Sequence, residues 1–245
     1  SGEALVAMSE GQLRRIFAEG GSGWLEEHSK DGLEPQEIVD QLDTQAFFDL
    51  LRLPYPTERA GVIDRLLRER LVEARGRAYA IRRLGALLLA KRLDDFPDLA
   101  RRAPRVVVYT VTSKLETRLD ESWARGYAVG FRDLIRFVVA QLPQNEAIEG
   151  ALRKEVRLVP EIVIRELVAN ALIHQDLGMG GASVMIEVFG NRVEIANPGE
   201  PVVPVERFID GYQSRNERLA DLMRRMGICE EKSSGVDKVI HAVEA

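Results

Sequence analysis

The segment RELVANALIHQD, residues 165–176, places Glu166, Asn170 and His174 at intervals of four and follows them with Asp176. On a helix this spacing stacks the three side chains along one face, one turn apart. A carboxylate with an amide one turn on is a pair that can orient a water and hold part of the shell of a hydrated Mg²⁺. The same pair also arises on ordinary solvated helix faces, where Asn170 would bond a nearby loop and His174 would be a satisfied histidine. The choice rests on what surrounds the helix.

Pro160 suits the first turn of a helix over 161–174, and Ile162, Leu167 and Ala171 are expected to turn toward a sheet. The β-branched run 105–113 predicts a strand, and Phe131, Leu134, Ile135, Val138 and Val139 predict an amphipathic helix over 127–142. LRKEVRLVP (152–160) predicts another strand. ASVMIEVFG and NRVEIANPG (182–199) alternate and meet at Gly190-Asn191, the signal of an antiparallel hairpin. Helices are expected near 204–209, over 216–227 and over 236–245. Residues 105–245 therefore read as an α/β (α+β) two-layer sandwich, with helices on a mixed, largely antiparallel sheet.

The first hundred residues read differently. A short amphipathic helix is expected over 9–19, a break at GGSG (20–23), and a tail over 24–43 that lies on something larger. Helices over 44–53 and 58–71, a hairpin in VEARGRAYAI (72–81) and a helix over 82–93 follow the element order of a winged-helix-like connector, 44–104. Between Thr57 and Arg105 there are thirteen Lys/Arg and seven Asp/Glu, although the 245-residue chain carries −5 overall. A basic face on a net-acidic protein suits DNA contact, with Arg75 and Arg77 at the hairpin as the candidates; the other reading is a solvated, arginine-rich connector. One cysteine, Cys229, excludes an internal disulfide, and the absence of a secretory or membrane-length apolar run leads us to expect a soluble, cytoplasmic protein with no membrane partner. Cys229 is expected to be a small buried residue, Trp24 and Trp123 packing anchors, and His28 and His241 no zinc ligands. The opening Ser1-Gly2 suggests a piece of a longer chain.

RELVANALIHQD resembles the signature helix of the HATPase-like domain at the C-terminus of RecG-related ATP-dependent DNA helicases, within the gyrase, chaperone and histidine-kinase ATPase superfamily. Three further stretches are similar to that family in the same order: VMIEVFGNRVEIANPG, SRNERLADLMRRMGICEE and KSSGVDKVI. Residues 82–108 resemble the linker to a preceding Schlafen AlbA-type DNA-binding domain, and GEALVAMSEGQLRRIFAEG resembles that domain's tail. The resemblance implies three parts: the tail of a truncated AlbA-type domain (1–43), the connector (44–104) and an HATPase-like domain (105–245).

The resemblance also implies ATP and Mg²⁺ as cofactors. Glu166 matches the residue that activates the attacking water and Asn170 the Mg²⁺ ligand. His174, Asp176, Asn197, Gly199, Ser234 and Gly235 match nucleotide-binding positions. The chain departs from the motifs at several points. Gln175 and Leu177 replace an arginine and a tyrosine, and Asn197 supplies an amide where the superfamily reads adenine with a carboxylate, the stronger acceptor. Ser233 stands where the family has the first glycine of its phosphate turn. Little chain remains between Gly199 and Ser233 for a mobile lid. These changes lead us to expect weak or absent hydrolysis, and no helicase motor, since no Walker-type sequence is present. Two functions stay open: a divergent ATP-binding regulatory module of a DNA-binding transcriptional regulator, or a scaffold or dimerisation domain in such a regulator that binds no nucleotide. A homodimer is compatible with either.

Overall fold

The computed structural model describes residues 23–149, 152–157, 159–201 and 214–229. A three-stranded antiparallel sheet in the order β1-β3-β2 organises its first part, from β1 (His28–Leu33), β2 (Val72–Arg75) and β3 (Ala78–Arg82). β2 and β3 close through the expected hairpin, whose two-residue turn holds Gly76 at φ 64°. Between β1 and β2 run α1 (Pro35–Gln41), α2 (Thr44–Leu50) and α3 (Arg59–Arg68). Pro35 and a Glu34/Glu37 capping box start α1, and the Asp43 carboxylate takes the Ala46 N–H to start α2. α4 (Arg83–Leu89) follows β3 directly and is buried from Leu84 to Leu89.

Residues 24–43 are thus not a tail. They supply a strand, a helix and the core side chains Leu25, Leu33, Ile38 and Leu42. Strand β1 was hidden because His28, Ser29 and Lys30 are only partly buried, Asp31 and Gly32 are exposed, and its pairing with β3 is interrupted by register shifts, so HSKDGL shows no apolar alternation.

The second part is a four-stranded sheet in the order β5-β4-β8-β9, built from β4 (Arg105–Tyr109), β5 (Thr117–Ser122), β8 (Met185–Val188) and β9 (Val193–Ala196). β4 and β8 run parallel and the other two pairs antiparallel. The expected mixed, largely antiparallel sheet with helices is what forms. Its helices are α5 (Phe131–Gln141), α6 (Glu161–His174) and α7 (Glu217–Arg225), and β6 (Gln144–Glu149) with β7 (Leu152–Arg157) makes a separate hairpin. The strand expected to reach 113 stops at Tyr109, and the helix expected from 127 begins at Phe131. The helices expected over 9–19, 204–209 and 236–245 fall outside the described residues.

One expectation about α6 fails. Leu167 was to face the sheet, yet it is 39% exposed while Glu166 is 2% exposed. The helix packs against α5 as well as strand β9, so two of its sides are buried and a single-stripe reading misassigns one of them. The apolar core is continuous from Leu25 to Ile228. Among the described residues no helix is long and apolar enough to cross a membrane.

Candidate functional site

The last turn of α6 ends in a polar closure. Asp176 donates its backbone N–H to the Pro198 carbonyl at 2.7 Å, and its carboxylate meets the Arg215 guanidinium at 2.5 Å. Arg215 spends a second nitrogen on the Glu200 carbonyl at 2.7 Å. Gly199 lies between them at φ 107°, where a Cβ would come within 2.6 Å of the Asp176 Cβ and 2.7 Å of Arg215 Nη1. A glycine is therefore required twice over, by backbone conformation and by space. Gly199→Ala is expected to cost about 2 kcal/mol, from the unfavourable φ and the displaced Arg215. Urea denaturation measures it, and a loss under about 0.5 kcal/mol would mean that the turn is not held against α6.

Two buried polar side chains brace the same end. Asn216 is 1% exposed and donates its amide to the carbonyls of Ile173 (2.7 Å) and Gln175 (2.8 Å). It thereby satisfies carbonyls that the end of α6 leaves without helical partners. Arg102, 5% exposed, reaches the carbonyls of Leu177 (2.8 Å), Met179 (2.7 Å) and Ala182 (3.2 Å) and so pins the loop after Asp176. Burial holds its guanidinium below the usual value, with Tyr127 and Asp176 opposing. Gln175 is buried and bonds Tyr127 Oη (3.1 Å) and the Leu172 carbonyl (2.8 Å). It is part of the core.

The structure unites some of the sequence candidates and separates others. Asp176 and Gly199 touch, and His174 lies in the field of Arg215; burial first, then that charge, lowers its pKa from 6.5, so the ring is neutral at pH 7. Asn197 is exposed beside buried Pro198. Asn170 is half-buried, one turn before His174, and no group among the described residues bonds its amide. Glu166, a turn earlier, is buried, and its charge, after burial, helps push the Cys229 thiol up to about 11. Cys229 is therefore a neutral thiol at physiological pH, not a nucleophile. Ser234 and Gly235 lie outside the described residues. Arg75 and Arg77 flank Gly76 far from α6 in sequence; Arg75 reaches His28 Nδ1 (3.2 Å) and Asp31 (3.4 Å), and Arg77 is exposed.

Sequence reading gave no role to Arg215, Asn216 or Arg102. The signals available were the family-like stretch SRNERLADLMRRMGICEE, which contains both Arg215 and Asn216, and the place of that pair just ahead of an amphipathic helix, which suggests an N-cap. Asn216 does stand at the start of α7, but its side chain bonds α6 and does not cap its own helix. Trp24 and Trp123 are packing residues: Arg83 and Arg102 lie over the Trp24 ring, and Trp123 packs on Phe137.

Known proteins are similar at two levels. Residues 181–245 match the family described as "Putative ATP-dependent DNA helicase recG C-terminal", so the C-terminal part of the chain is HATPase-like in sequence. The matched span contains β8, β9 and α7. The crystal structure of the DIP2311 protein from Corynebacterium diphtheriae superposes with a TM-score of 0.63 at 20% identity, over 84% of this chain and 40% of that one. That likeness is one of fold, and this chain spans two fifths of that protein's length. No curated protein matches.

Proposed function

We propose that this chain is a divergent ATP-binding regulatory module of a DNA-associated transcriptional regulator, with weak or absent hydrolysis. The observation that carries the reading is Asn170: an accessible amide with no partner among the described residues, on a helix laid against β9 and closed at its end by Asp176, Gly199 and Arg215. An amide oxygen in that position suits one place in the shell of a Mg²⁺ that arrives with a nucleotide, because such ions keep several waters and take few protein ligands. Bound there, the ion would offset phosphate charge. Glu166, one turn away, is the residue for water activation, and its deep burial fits slow chemistry. DNA would be engaged by an AlbA-type domain preceding this chain and by the basic segment 57–105, through Arg75 and Arg77.

The second reading is a scaffold or dimerisation domain. It draws on the Asp176–Arg215 ion pair, which commits to each other two charged groups that a ligand could otherwise use. Calorimetric titration of ATP and a non-hydrolysable analogue, with and without Mg²⁺, separates the two. Saturable Mg²⁺-dependent binding that Asn170→Ala abolishes, with the melting temperature unchanged, is the expected result. Unchanged affinity in that variant removes Asn170 from the role, and no binding at millimolar nucleotide favours the scaffold.

A further inference from the structure

At the opposite end of α6 lies a cleft. It has a volume of about 650 Å³ and opens between α2, the start of α5, the first turn of α6 and the chain after α7. Its volume is that of small-molecule sites, and clefts where separate layers meet are where such sites concentrate. Arg52 enters from the end of α2, Arg132 and Arg136 from successive turns of α5, and Arg165 from α6.

The charge arrangement there is unusual for this molecule. Arginines elsewhere are mostly engaged, as with Arg65, Arg82, Arg105 and Arg225, each held by a carboxylate. Arg52, Arg132 and Arg136 have neither an acid nor a hydrogen-bond partner among the described residues. The acids that share the cleft do not balance them. Asp133 is paired with Arg125 at 3.1 Å and Glu161 is engaged as well, while Asp49, which takes the neutral Gln45 amide at 3.0 Å, keeps its charge and offsets only one of the three arginines. Arg165 is turned to the carbonyls of Gly227 and Ile228 and serves as wall.

Three guanidinium groups around one concavity, unpaired among the described residues, suit a ligand with several negative charges, since a single carboxylate would leave them unmatched in part. We propose that this cleft binds a small polyphosphate-bearing ligand, its phosphoryl oxygens held by Arg52, Arg132 and Arg136. The site is independent of the nucleotide reading above. α6 has 14 residues, so its two ends are separated by about 20 Å at 1.5 Å per residue.

The test is calorimetric titration of inorganic tripolyphosphate into the full chain at low salt, with Arg132→Ala/Arg136→Ala, Arg52→Ala and Asn170→Ala alongside. One saturable site is expected, weakened at least tenfold in the double variant and severalfold in Arg52→Ala, and unchanged in Asn170→Ala. Because Arg52, Arg132 and Arg136 are exposed, their variants are expected to melt like the parent, and a melting scan of each confirms that the loss is local. Lysines at 132 and 136 should restore part of the affinity, the charge being kept and the planar fork lost. Absence of saturation at millimolar tripolyphosphate overturns the proposal, as does a double variant that binds like the parent. Loss on Asn170→Ala with retention in the arginine variants would move the anion to the Asp176 end of α6. Duplex DNA displacing tripolyphosphate at one protein per many base pairs would overturn it too, by marking the arginines as a backbone-binding surface.

Discussion

Replacing Arg102 with methionine is expected to lower folding stability by about 4 kcal/mol, and the melting temperature by about 10 °C for a chain of this size. The methionine keeps the apolar stem but removes every donor. The carbonyls of Leu177, Met179 and Ala182 then face a site where water has little room, since Arg102 is only 5% exposed. Each stranded acceptor costs about 1–3 kcal/mol. The contact with the Trp24 ring, 5.3 Å from guanidinium to centroid, goes as well. Arg102→Lys should fall in between, because one ammonium cannot span three carbonyls spread over six residues. Urea midpoints of the three proteins give the ordering, and a methionine variant within about 1 kcal/mol of the parent would show that water serves that loop. The consequence for function follows from chain order. The pinned loop begins one residue after Asp176, so the methionine variant should also weaken whatever binds at the Asp176–Gly199 closure.

Arg102 also shows why some of this molecule was readable from sequence and some was not. Helix α6 was legible to the residue, 161–174, because Pro160 marks its start and its apolar positions recur at helical spacing. The β8–β9 hairpin was legible through alternation broken at Gly190-Asn191. Strand β5 was not: TRLDES is almost wholly exposed, so nothing in its pattern records that it pairs with β4. An edge strand of that kind is stabilised by its ladder and kept soluble by its charges. The polar stripe of Glu166, Asn170 and His174 could be seen as a stripe. What could not be seen is that Glu166 is buried and Leu167 exposed, because that depends on α5 arriving from the other side. The bracing residues were the least visible. Arg102, Arg215 and Asn216 act on backbone groups 15 to 80 positions away, and a bond to a carbonyl leaves no trace in the identity of the residue that carries it.

The second large effect lies in the joint between α7 and α3. The Glu69 carboxylate takes Arg225 through both oxygens, at 2.6 and 2.8 Å, and Arg65 at 2.6 Å; its carbonyl takes Arg218, which also meets Glu26 at 2.6 Å. With its side chain 11% exposed, Glu69 is more than a surface partner. Glu69→Gln is expected to cost about 3 kcal/mol at pH 7, since one amide cannot replace a carboxylate under two arginines, although the 41% exposure of Arg225 lets solvent take back part of the loss. The pH dependence gives the sharper check. The Arg225 hydrogen bond, followed by the charges of Arg225, Arg65 and Arg218, holds the Glu69 carboxyl below its usual 4.5 against an opposing effect of burial. Its folded pKa therefore lies under its unfolded one, so its contribution is complete above 4.5 and disappears as pH falls through the folded value. Urea midpoints of the parent and Glu69→Gln should stand apart at pH 7 and converge below 4.5. A gap that stays constant down to acid pH would assign the loss to packing. Because α7 carries Arg218 and Arg225 on the side facing α3, and the Arg215-Asn216 pair that braces the end of α6 immediately precedes it, the same substitution should loosen that closure from a distance. Faster amide exchange at Asp176, whose N–H is bonded to Pro198, would register it, and unchanged exchange in the variant would mean that the two ends of α7 act independently.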